Sequence, residues 1–147
     1  MQALTPLVAI LTLCQAPAAM PAAEVKIVMR TIRDDAKGGK PKTSETSVTT
    51  LVGRSAYVAS GSEIPMLANN KEVRYLIIGH KVEFAPSKVD NNKVTLDIRL
   101  EHSTRTHLAS ALVSGRFELG SVIELAYPDL PGEPKTRVEI VVERVAR

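Results

Sequence analysis

The chain has 147 residues, enough for one domain, and a formal charge of +3 in which Lys and Arg are interleaved with Asp and Glu. That spread of charge, with aromatics at 3% and no Trp, argues against a nucleic-acid surface, which needs clustered basic residues and aromatic stacking platforms. Cys14 is the only cysteine, so no internal disulfide staples the fold and its core must be built from Val, Ile and Leu.

Residues 1–23, MQALTPLVAILTLCQAPAAMPAA, carry no Asp, Glu, Lys or Arg. The apolar run from Leu7 to Leu13, followed by small residues, reads as a secretory signal peptide; it is too short to span a bilayer. Ala16-Pro17-Ala18 and Ala23 are the candidate cleavage points. Cys14 is either filler of the apolar run or a lipid-attachment cysteine, with the bulky Leu13 set against the second reading. Residues 24–147 are expected to form a single domain large enough to bury its own core.

VKIVMRTI (25–32) is the first expected strand. Residues 33–46, charged and punctuated by Gly and Pro without an apolar period, read as a mobile loop. SVTTLVG and SAYVAS (47–60) are rich in β-branched residues and read as two strands, or one bent strand, around Gly53-Arg54. GSEIPMLANNKE (61–72) reads as turn and loop. VRYLIIG (73–79) is an apolar strand, continued by alternation from His80 to Ala85, and Pro86 is expected to stop it. Asp90-Asn91-Asn92 tolerate left-handed backbone and can make the reversal. The return strand puts Val94, Leu96, Ile98 and Leu100 on one face and Thr95, Asp97, Arg99 and Glu101 on the other. A second hairpin is expected from Leu108 to Tyr127, turning near Glu118–Ser121, then a loop at 128–134 and a last strand over 135–146. Apolar residues recur every second position and never at helical spacing, so the fold class is all-β.

Chemistry is hard to place on these elements. Of His80, His102 and His107, the last two are five apart, which puts them on opposite faces of a strand, and no third ligand of recognisable spacing joins them. No serine sits in a G-x-S-x-G elbow, and Gly38-Gly39-Lys40 lacks the rest of a phosphate-binding loop. Asp97 and Glu101 share a face, but Arg99 lies between them, as in a charge ladder facing water or a neighbouring strand. The expectation is a protein without catalytic residues, metal or cofactor.

The order of the segments resembles the secretin family, the ring-forming gate proteins of type II and type III secretion and type IV pili. Gly79, Val82, Phe84 and Pro86 are similar to that family's G-x-x-L-x-V-x-P strand. VTLDIRLEHS (94–103), with Val94, Leu96, Ile98, Glu101 and Ser103, is similar to its V-x-L-x-I-x-x-E-x-S strand. Upstream, Gly53, Ala56, Gly61 and Pro65 match a T-x-x-G-x-x-A-x-x-x-x-G-x-x-x-P segment, and downstream SGRFELGSVIELA, with Gly120, is similar to the family's strand–turn–strand around D-G-x-x-x-x-x-G. TRVEIVVERV stands where the family has its closing strand. These pieces cover residues 47 to 146 in the family's order. The ring-building N-terminal modules, the gate insert and the membrane-inserting lip motif have no counterpart in these 147 residues.

The resemblance implies antiparallel hairpins forming an open sheet or part of an oligomeric β-barrel wall. It implies an exported protein of the periplasm or outer membrane, acting by self-association or within an envelope secretion or pilus complex, with no nucleic-acid partner. Outer-membrane association stays open in the absence of the lip. The alternative expectation is a free-standing periplasmic β-sandwich that binds a small ligand or polysaccharide.

Overall fold

The computed structural model describes residues 22–67 and 71–146; the leader reading, with Cys14 and the Ala16–Ala18 cleavage point, falls outside them. All regular elements among the described residues are strands: β1 (Glu24–Arg33), β2 (Lys42–Leu51), β3 (Ala56–Leu67), β4 (Val73–Asp90), β5 (Lys93–Ser103), β6 (Leu108–Glu118), β7 (Val122–Ala126) and β8 (Thr136–Arg144). They form two four-stranded antiparallel sheets, ordered β2-β1-β8-β7 and β3-β4-β5-β6, and neither closes into a barrel. The all-β expectation therefore holds, in its open-sheet form.

Alternation decides which face of each sheet is dry. Val94, Leu96, Ile98 and Leu100 on β5 and Val82 and Phe84 on β4 are fully buried, or nearly so. They pack against Val25, Ile27 and Met29 of β1 and Val138, Ile140 and Val142 of β8 in one aliphatic core. The four central strands thus supply almost all the buried apolar surface, which is the main stabilising term. β2 is rich in Thr and Ser, nearly free of apolar residues and exposed over most of its length, with Val48 packed against the core. Its β-branched threonines suit extended backbone, and Lys42 and Glu45 charge what is the edge of its sheet.

The β4–β5 hairpin turns through Asn91 and Asn92, both at positive φ (46° and 63°), the two-residue geometry whose twist matches that of the strands. Beyond it a bulge changes the register: Lys88 faces Thr95, but Pro86 faces Leu96, leaving Ser87 unpaired. The apolar pattern demands this. Pro86 and Val89 both face inward although three apart, while β5 alternates without interruption. If Ser87 were paired and the register of the turn ran on unshifted, Val82 would stand opposite Glu101 instead of Leu100.

Four expectations are corrected. Pro86 does not stop the strand. Its carbonyl accepts a hydrogen bond from Gly53 N–H at 2.7 Å, so its backbone polar edge faces away from β5 and the missing N–H removes no β4–β5 ladder bond. The 33–46 loop is shorter, because residues 42–46 pair with β1. Residues 61–67, read as loop for their Gly and Pro, are the second half of β3 and pair with 73–79. Finally, β6 and β7 do not form a hairpin. β6 joins β5 in one sheet and β7 joins β8 in the other. The chain crosses between them at Leu119-Gly120, where Leu119 N–H donates to Asn92 O (2.9 Å) and Gly120 N–H to Val142 O (2.8 Å). Adjacent residues thus tie the two sheets together.

Candidate functional site: a projecting ribbon and a histidine cleft

β5 stops pairing with β4 at the Ser103–Gly79 pair, while β3 and β4 continue together out to Leu67 and Val73. The result is a two-stranded ribbon with open edges on both sides, since neither β3 nor this part of β4 has a further partner among the described residues. Both its faces are mostly apolar, with Arg74 on one and Glu63 on the other. Ile64, Met66, Leu76 and Ile78 alternate with Pro65, Leu67, Val73, Tyr75 and Ile77. Leu67 is 81% exposed, Tyr75 67%, Val73 55% and Met66 51%. An isolated two-stranded ribbon is marginally stable in water, and an uncovered apolar edge is a template for another strand.

Gly61 and Gly79 face each other at the root of the ribbon, at φ 155° and 135°. A Cβ on Gly79 would lie 2.9 Å from Gly61 Cα, and one on Gly61 2.8 Å from Ile78 C. Only glycine lets the backbones approach this closely.

Beside the glycines, between the ends of the two sheets, opens a cleft of about 520 Å³ whose lining includes Arg33, Ser60, His80, His102 and Glu133. The bulge places His80 directly opposite His102. Their rings stack with centroids 4.3 Å apart, 25° from parallel, and Tyr127 meets His80 edge-on at 4.5 Å. His102 Nδ1–H donates to the Pro128 carbonyl (3.1 Å); since a carbonyl only accepts, this bond selects the tautomer. His80 Nε2 is buried without a hydrogen-bond partner. Burial, then the neighbouring His102 and Arg33, push His80 down to about 4, and burial raises the Tyr127 phenol well above its usual value. The sequence had weighed His102 with His107, which lies exposed and bonded to Thr106 Oγ1. The odd spacing of Pro86 and Val89 was the signal that would have paired His102 with His80 instead.

The residues singled out by motif fall into distinct places. Val82, Phe84, Pro86, Val94, Leu96 and Ile98 come together on the inner faces of β4 and β5. Gly53 turns β2 into β3 and bonds to Pro86, and Ala56 opens β3 opposite Phe84. Gly61 and Gly79 meet at the ribbon root, with Pro65 further out opposite Tyr75. Glu101 faces outward, 3.9 Å from Lys81 Nζ, which also reaches Glu83 at 3.8 Å. Ser103 Oγ donates to Ile77 O at 2.6 Å, pinning the end of β5 to the ribbon. Gly120 sits at the crossover, apart from the rest.

Among the described residues, no three His, Cys, Asp or Glu side chains converge as a metal site would require.

No family model and no curated protein sequence matches the chain. Solved structures do. It is similar to the type II secretin GspD of enteropathogenic Escherichia coli, with a TM-score of 0.59 and 11% identity over 87% of this chain and 71% of that one. The type II secretin XcpQ of Pseudomonas aeruginosa matches with a TM-score of 0.54 and 13% identity, over 87% and 60% of the two chains. The Salmonella SPI-1 type III injectisome secretin InvG matches at 0.53 and 8%, over 87% and 66%. The chain thus spans less than two thirds of the last two. At these identities the likeness is one of fold: the two open sheets have the architecture found in type II and type III secretins, as the motif order implied.

Proposed function

We propose that this chain is an exported, non-enzymatic β-domain that works by association, with copies of itself or within an envelope secretion or pilus complex at the periplasm or outer membrane. Residues 24–147 act as a single domain in this reading. The observation that carries it is the ribbon, mostly apolar on both faces and open on both edges. The β3 edge of one copy and the free β4 edge of the next are complementary, and head-to-tail pairing would satisfy both while covering the exposed side chains. The secretin-like fold supports the same reading, since the similar structures are subunits of secretion systems.

Light scattering coupled to size exclusion, on the full chain over a concentration series, tests this. A discrete multimer that dissociates on dilution is the expected result. A monomer at every concentration would sink self-association and favour either a different partner or a ligand-binding sandwich.

A further inference from the structure

The root of the ribbon is held by an unusual contact. His80 follows Gly79 directly and lies opposite Ser60, next to Gly61, so the histidine stack and the glycine pair are adjacent rungs of one ladder. Across the cleft, the segment after β7 supplies both remaining contacts: the Tyr127 ring against His80 and the Pro128 carbonyl bonded to His102. The first sheet therefore grips the second at the rung from which the ribbon springs. We propose that the His80–His102 stack is an acid-sensitive lock that holds the root of the β3–β4 ribbon against the first sheet.

The lock is closed while His80 is neutral. Its ring is buried in the stack and its Nε2 has no acceptor for a proton, so the charged form is disfavoured there. The charged groups around it do not help. Arg33 of β1 and Arg105 of the β5–β6 loop are cationic, and Glu133 of the β7–β8 loop is already paired with Arg33 at 3.5 Å. β3 contributes only Ser60 and Gly61, and Tyr127 is an uncharged phenol. A proton on His80 therefore favours an arrangement in which its ring leaves the stack and reaches water. The side-chain-free glycine pair next to it is where the ribbon can pivot. This inference does not depend on whether copies of the chain associate.

Amide hydrogen exchange on the full chain tests it, with protection factors for 61–67 and 73–79 followed from pH 7.5 to 4.5 against amides of β1 and β8. Ribbon protection should start below that of β1 and β8 and fall by about tenfold in all between pH 6.5 and pH 4.5, following the proton linked to His80, with the ribbon the less protected at every pH. His80→Phe keeps a ring in the stack and should abolish the fall; His80→Gln gives the same readout if the Phe variant does not fold. His107→Ala, at an exposed histidine, should leave the fall intact. Equal ribbon protection at both ends of the range, the same fall in both His80 variants, or a ribbon as protected as β1 and β8 throughout would each overturn the lock.

Discussion

Phe84 leads the fully buried side chains by volume and sits opposite Ile98 in the second sheet, facing the aliphatic core. Phe84→Ala should cost about 3–5 kcal/mol in urea denaturation, because the cavity it leaves cannot collapse between two sheets. Leu112→Ala, at a position 62% exposed on an edge strand, should stay within about 0.5 kcal/mol. His80 adds a pH term of definite sign. Its folded value, about 4, lies below the unfolded 6.5, so the unfolded chain binds the extra proton. Stability is therefore unaffected by this group above pH 6.5 and falls as pH drops from 6.5 toward 4. The loss is roughly 1–2 kcal/mol once solvent screening of a half-buried group is allowed for. Thermal melts of the parent and His80→Phe should diverge over that window, with the variant the less acid-sensitive. Coincident melts at pH 7.5 and pH 4.5 would contradict it.

The strands themselves were legible where one face is dry. Val94 to Leu100, His80 to Phe84 and the Asn91-Asn92 turn read directly as a hairpin because burial enforces a period of two. Legibility failed where pairing is decided by distant chain. Residues 114–126 look like a local hairpin, and only the competing partners β5 and β8 pull β6 and β7 into different sheets. It failed too along 61–67, where Gly61 and Pro65 mimic a loop; a proline is tolerated there because β3 is an edge strand. The histidine pair stayed hidden behind the one-residue bulge. That bulge makes its own prediction. Deleting Ser87 joins Pro86, facing Leu96, directly to Lys88, facing Thr95, and so restores unbroken alternation. The deletion variant should fold with stability within about 1 kcal/mol of the parent by circular dichroism melts. A loss of several kcal/mol would mean that the bulge's local twist, not the apolar pattern, holds the register.

On the scale of the whole molecule, the two sheets differ in what they leave uncovered. The first ends in short β7 and in a Thr- and Ser-rich, charged β2, edges that discourage pairing. The second ends in β6 and in a long β3 that runs on into the ribbon, mostly apolar on both faces. A fold that protects one sheet and leaves the other open is asymmetric in the way a repeating subunit needs, with a donor edge and an acceptor edge at different places. The ribbon residues, not the core, should therefore govern association. The most direct test is the light-scattering concentration series run in parallel on the parent chain and on the double variant Leu67→Lys, Tyr75→Lys. Both side chains are among the most exposed apolar groups and neither belongs to the core, so spectrum and melting temperature should be unchanged. Association through the ribbon predicts a discrete multimer for the parent and a monomer for the variant at equal concentration. A parent that stays monomeric throughout, or a variant that assembles as the parent does, would contradict it.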